Sequence, residues 1–205
     1  MSSEVEICNL ALSHLGDNAT VASLDPPEGS AQAEHCARFY PMARDSLLEI
    51  FTFNFATRRA RLARLGSPWK QWAYAYAKPA DCLRVLSVES ENGVHLSDLW
   101  TSSQDYLIEL NDDLVEVIYT NQPDAVLKYG ARITDPILFS PLFVMTLSHH
   151  LASMMAGPII KGDVGQAEAK RQSAMVQVYL SKASLSDANQ QRIRPAHTVS
   201  WLKVR

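Results

Sequence analysis

One stretch limits the possible folds of this chain more than any other: residues 135–160, DPILFSPLFVMTLSHHLASMMAGPII. Two helix starts compete at its head. Asp135 before Pro136, and Ser140 before Pro141, each offer a side-chain oxygen to an orphan N–H, followed by a proline where no N–H is needed. Downstream, Leu142, Phe143, Met145, Leu147, Leu151, Met154 and Met155 cover most of the cylinder. A helix apolar nearly all round is a buried one. Gly157-Pro158 is expected to stop it, because proline lacks a donor and disfavours helix in the residue before it. At roughly 16 to 20 residues the length borders on a bilayer span. The His149-His150 pair and the prolines argue instead for the central helix of a soluble bundle.

Two helices are expected upstream of it. Ser2 or Ser3 can cap the first, with Glu4 and Glu6 in the turn where the dipole favours negative charge. Ile7, Leu10, Ala11 and Leu15 repeat at helical spacing, and Gly16 suits the position after the C-cap. A loop holding Asp25-Pro26-Pro27-Glu28-Gly29 follows, and Ser30 then caps a second helix of about five turns. Its stripe is Ala33, Cys36, Ala37, Tyr40, Ala43, Leu47 and Ile50, with a kink expected near Pro41.

After Phe53 the pattern changes. Residues 53–72 mix aromatic side chains with Arg58, Arg59, Arg61, Arg64 and Lys70. Residues 83–88, 106–110, 114–119 and 125–129 are short alternating or β-branched runs that read as strands. Asn111-Asp112-Asp113 is a turn signal that makes residues 106–119 a hairpin, and Gly93 and Gln122-Pro123-Asp124 mark further turns. A fourth helix opens at Gly162-Asp163, with Val164, Ala167, Ala174, Met175, Val178 and Leu185 as its apolar positions. Periodicity ends at Ser186. The sequence therefore predicts an α+β protein, mainly α: a four-helix bundle with a small antiparallel β insertion between helices 2 and 3 and an extended C-terminal arm. In residue terms it is one domain over 1–187 (bundle 1–52 and 135–187, insertion 80–130), with 188–205 as the arm.

Composition narrows function mainly by exclusion. A formal net charge of −3 over 205 residues gives no general attraction to nucleic acid or membrane. Cys8, Cys36 and Cys82 are odd in number and widely spaced, which fits a reducing compartment rather than a disulfide framework. Residues 1–15 carry Glu4 and Glu6 and no basic n-region, so synthesis in the cytoplasm without a signal peptide is expected. No phosphate loop, H-E-x-x-H, C-x-x-C or G-x-S-x-G occurs. His149 and His150 point about 100° apart on a helix and cannot share one metal. His35 and Cys36, also neighbours on a helix, do not face each other as base and nucleophile. Asp112-Asp113 is explained by turn chemistry before acid/base catalysis. The Arg58–Lys70 run, interleaved with Trp69 and Trp72, is either a nucleic-acid clamp or a solvated edge paired with acids. No enzyme and no cofactor or metal site is expected.

Two stretches carry a resemblance. Asn9-Leu10-Ala11-Leu12-Ser13-His14-Leu15-Gly16, followed by a Pro-containing loop and a helix closing in Phe53-Asn54-Phe55-Ala56, resembles the start of the head-to-tail adaptor proteins of short-tailed phages, the tail tubular protein A type. Tyr129-Gly130-Ala131-Arg132-Ile133-Thr134-Asp135-Pro136, leading to Ala156-Gly157-Pro158, resembles the second half of that family. The resemblance implies a structural virion protein made in the host cytoplasm. It would form a homo-oligomeric, dodecameric ring beneath the portal protein and receive the tail nozzle protein, with DNA passing through without sequence-specific contact. The alternative is a nucleic-acid-binding or DNA-packaging accessory protein. On chemistry alone, Arg192, Arg194, Trp201, Leu202 and Arg205 of the arm are expected to bind portal, with Trp201 as anchor. Arg58, Arg59, Asp112 and Asp113 are expected at a subunit or nozzle interface.

Overall fold

The computed structural model describes residues 3–66, 71–90 and 104–190. Among the described residues, four α-helices, α1 (Glu4–His14), α2 (Ala31–Ile50), α3 (Pro141–Ile160) and α4 (Gly162–Ala188), accompany seven strands that lie between α2 and α3 in the chain. The described residues divide into two compact units, a helical one within 3–56 and 132–190 and a strand one within 57–131.

In the helical unit, local capping fixes where each helix begins. Ser3 and Glu6 form a reciprocal capping box, Ser3 Oγ accepting from Glu6 N–H at 3.1 Å and Glu6 Oε2 from Ser3 N–H at 2.8 Å. Ser30 caps α2, which runs on through Pro41. Both candidate starts near residue 140 are used. Asp135 caps a short 3-10 turn, Pro136–Leu138, and Ser140 caps α3 with Pro141 in its first turn. The expected stop at Gly157-Pro158 does not occur: α3 continues to Ile160. Proline clashes with the Cβ of the residue before it, and glycine has none, so the Gly157-Pro158 pair stays helical at the cost of one hydrogen bond. The break falls at Lys161 and Gly162, with φ of 61° and 62°.

α3 packs against α1, α2 and α4, which is why it can be apolar on every side. By length and composition it could cross a membrane, yet 56% of its hydropathic window is buried inside the protein. At its N-terminal end, Phe143 meets Phe53, Phe55 and Phe139 at ring-centroid distances of 5.1, 5.2 and 4.8 Å. Asp187 of α4 accepts from the Asn54 N–H at 3.0 and 3.1 Å, and Asn54 Nδ2 donates to the Asp187 carbonyl at 2.8 Å. The Phe53–Ala56 segment is thus tied to both α3 and α4. Asn9 clamps the loop after α1 in a two-way bond with the Val21 backbone, at 2.7 and 3.0 Å.

α4 reverses the sequence expectation. Its buried residues are Gly165, Gln172, Val176, Ala183 and Asp187, whereas Val164, Ala167, Ala174, Val178 and Leu185 are exposed and Met175 is half-buried. The reason is close approach. A Cβ on Gly165 would lie 2.9 Å from the carbonyl oxygen of Ala156, so the contact with α3 requires a glycine at this position whatever the apolar pattern of the rest of α4.

Among its described residues the strand unit contains two antiparallel sheets rather than one, and it begins at Thr57 rather than near residue 80. The first is ordered β1-β7-β4 (Thr57–Arg61, Ala125–Ala131, Cys82–Ser90), the second β2-β3-β6-β5 (Arg64–Leu65, Tyr74–Ala77, Glu116–Thr120, Tyr106–Leu110). The chain passes from one sheet to the other at residues 62–63, where Leu62 N–H donates to Ala125 and the Ala63 carbonyl accepts from Ala77. It crosses again at the Gln122-Pro123-Asp124 turn, where Asp124 has φ 48°. β1 and β2 are rich in arginine and β3 alternates tyrosine with alanine, Thr57 being the one β-branched residue among them, so composition hid them. Central β6 is buried from Val117 to Thr120, and Ala75, Val117 and Tyr119 form a core joined by Leu65 and Trp72. Gly93 lies outside the described residues.

Candidate functional site

The hairpin read from the sequence is present: β5 pairs with β6 from Tyr106↔Thr120 to Leu110↔Glu116. Its loop is longer than the turn signal implied, because Asn111 organises all of residues 111–115. The Asn111 N–H donates to Val115 O at 3.0 Å, its carbonyl accepts from Leu114 at 3.0 Å, and its Oδ1 accepts from Val115 N–H at 2.9 Å. Leu114 is held at φ 60°, a left-handed conformation uncommon for a side chain of this size. It is also 80% exposed. Asp112 and Asp113 are exposed beside it, with Leu110 and Val115 also in solvent. The tip is an apolar surface carrying two acids.

Arg58 and Arg59 sit on β1 of the other sheet and find acids there. Arg58 pairs with Asp81 at 3.0 Å and Arg59 with Glu89 at 3.4 Å. The Tyr129 hydroxyl donates to Asp81 at 3.1 Å, and burial followed by that carboxylate pushes the phenol's pKa up. The structure therefore does not bring the two arginines to Asp112 and Asp113. Arg64 lies 4.7 Å over the Tyr74 ring, and Trp72 packs on the β3–β6 core. Much of the basic run is engaged within its own unit. Trp69, Lys70, Arg192, Arg194, Trp201, Leu202 and Arg205 lie outside the described residues.

The two adjacent histidines diverge as helix geometry requires. His150 reaches α2, donating through Nε2–H to Ser46 Oγ at 3.0 Å, since that hydroxyl already donates to Ala43 O. Burial lowers its pKa. His149 joins a group that sequence alone did not reveal. Its ring stacks 4.0 Å from His14 of α1 and 5.1 Å from Tyr179 of α4. Gln172 Nε2 donates to the His14 carbonyl (3.2 Å) and to Glu168 (2.6 Å). Its oxygen therefore faces His149, which must donate through Nδ1–H, at 2.7 Å. Burial, then the neighbouring His149, lowers the His14 pKa from 6.5 to about 4. The group is a polar tie between three helices: every ring nitrogen with a defined contact has its partner inside the protein.

Cys36 turns away from His35, its Sγ lying 3.6 Å from Met155 Sδ. The Cys8 thiol is pushed up by its hydrogen bond with Cys36 and by burial. All three cysteines are free and buried. Among the described residues, no group of three or more His, Cys, Asp or Glu side chains is placed to hold a metal ion. No family model matches this chain, and no curated protein matches it.

Proposed function

We propose that this chain is a structural virion protein, a head-to-tail adaptor whose copies assemble into a ring beneath a portal and receive a tail nozzle. The observation that carries the reading is the placement of the family-like stretches around the insertion. The chain leaves the helical unit just after Phe53-Asn54-Phe55-Ala56 and re-enters it within the 129–136 run. In this reading the four helices act as one bundle around α3 and the sheets are an inserted module; the arm expected over 188–205 starts later, since α4 runs to Ala188, and from residue 191 it lies outside the described residues. The hairpin tip, with Asp112, Asp113 and exposed Leu110, Leu114 and Val115, faces a neighbouring subunit or the nozzle. Arg192, Arg194, Trp201, Leu202 and Arg205 take the portal. The nucleic-acid reading is less favoured, because Arg58 and Arg59 already face Asp81 and Glu89.

Mass photometry of the purified chain, alone and with portal, tests the proposal. A ring-sized complex should form only with portal, and removal of residues 192–205 should abolish it while leaving the melting temperature nearly unchanged. Failure of the full chain to join portal overturns the adaptor reading. Undiminished joining by the truncated chain removes the arm from it.

A further inference from the structure

The face of α4 opposite α3 carries an ordered pattern. Positions 164, 167, 171, 174, 178, 181, 185 and 188 alternate in spacings of three and four, and all of them are exposed. Alternate members differ in size: Val164, Arg171, Val178 and Leu185 are large, whereas Ala167, Ala174, Ser181 and Ala188 are small. Val164 and Leu185, at opposite ends, are 70% and 67% exposed. A sustained three-four repeat is the seam by which one helix packs along another. Here it runs the whole 27-residue helix, or about 40 Å.

The seam specifies its own partner. Set two α4 helices antiparallel, crossing at the level of Val176. Val164 then faces Ala188 of the second copy, Ala167 faces Leu185, Arg171 faces Ser181 and Ala174 faces Val178. Every layer sets a large side chain against a small one. A parallel pair would instead oppose Arg171 to Arg171 and alanine to alanine, leaving like charges and gaps. The flanking charges agree. Glu168 and Lys182 each follow a small seam residue, on the same side of the helix and symmetrically about Met175. Antiparallel pairing brings Lys182 of each copy beside Glu168 of the other, a carboxylate whose Oε1 is already held by Gln172 and by Arg171 of the seam at 2.6 and 3.3 Å, whereas parallel pairing would bring Glu168 beside Asp163, a like charge.

We propose that α4 is a self-docking helix, through which two copies of this chain associate about a two-fold axis by an antiparallel α4–α4 seam. This association does not rest on the adaptor reading. A two-fold contact closes on itself, whereas a ring repeats one head-to-tail contact, so the α4 pair belongs to the free chain and its test needs no portal.

Sedimentation velocity of the full chain across a concentration series should show monomer giving way to dimer. Val178→Asp should hold the chain at monomer mass with circular dichroism unchanged, and with the same melting temperature at dilutions where the unaltered chain is monomeric, because Val178 is not part of the core. Register is tested with single cysteines at exposed positions, the native cysteines being buried. Gln177→Cys, near the two-fold axis, should cross-link to its own copy on mild oxidation. Lys170→Cys should not, because in the antiparallel pair its counterpart lies about 20 Å further along the axis. A chain that stays monomeric at every concentration overturns the proposal, as does a dimer that survives Val178→Asp. Lys170→Cys cross-linking as readily as Gln177→Cys would also overturn it.

Discussion

α3 and α4 follow one another with a single residue between them, yet they meet the rest of the protein by opposite means. α3 is enclosed by three helices, so hydrophobicity on all its faces is used, and even Thr146, Ser148 and His149 are buried along it. α4 packs mainly on α3 and buries Gly165, Gln172 and Asp187 while Val164, Val178 and Leu185 remain outside. A helix does not always turn its most apolar side inward. Backbone approach selects small residues, and polar residues go with them when their hydrogen bonds are met, as the bonds of Gln172 and Asp187 are.

The comparison is broken most directly by truncating one leucine on each helix. Leu147, fully buried on α3, should cost on the order of 2–5 kcal/mol as alanine. Leu185→Ala on α4 should stay within about 0.5 kcal/mol at concentrations that keep the chain monomeric. Urea unfolding of both variants checks this, and equal losses would mean that the faces of α4 are misassigned.

Close approach is the next target. Gly165→Ala places a methyl group 2.9 Å from the Ala156 carbonyl oxygen, backbone that cannot swing aside. A loss of about 1–3 kcal/mol is expected, although alanine is the better helix former. Thermal melting decides: a rise in melting temperature would show that α3 and α4 can separate freely.

The polar anchor at the other end of α4 should matter to a similar or smaller degree. Asp187→Ala leaves the Asn54 N–H without its buried acceptor, for an expected loss of about 1–3 kcal/mol. Hydrogen exchange at Asn54 should accelerate with it. An unchanged Asn54 amide would remove Asp187 from this role.

The smallest effect concerns the histidine stack. His14 has a folded-state pKa near 4 against an ordinary 6.5, first from burial and then from His149. Above 6.5 both folded and unfolded chains hold the ring neutral, so it adds no pH dependence. As the pH falls from 6.5 toward 4 the unfolded chain takes up the proton and the folded chain does not, so stability declines across that window. Because His14 is only partly buried, solvent screening makes the decline modest. Melting temperatures at neutral and mildly acid pH should diverge less in His14→Gln than in the unaltered chain.

Much of this was legible in the sequence, for local reasons. Ser3, Ser30, Ser140 and Asp135 cap what their side chains can reach within three residues, and Gly16, at φ 75°, ends α1 where a left-handed residue is needed. The 106–119 hairpin follows from alternation and an Asn-Asp-Asp turn. β1 and β3 did not show, since strands such as TRRAR owe their conformation to pairing with β7 and β6, partners forty or more residues distant in the chain. Arg58 and Arg59 could be seen as charged, but not as neutralised by Asp81 and Glu89.

The burial of α3 follows from its residues alone, since a helix apolar on all sides has no other stable place in water, and the helix starts follow from capping chemistry a few residues long. Which face of α4 turns inward, the meeting of His14, His149 and Tyr179, and the division of the strands into two sheets are set by packing. Those outcomes depend on how closely two backbones approach and on which distant donor meets which acceptor. Such distances are properties of the packed chain, and no local window of residues contains them.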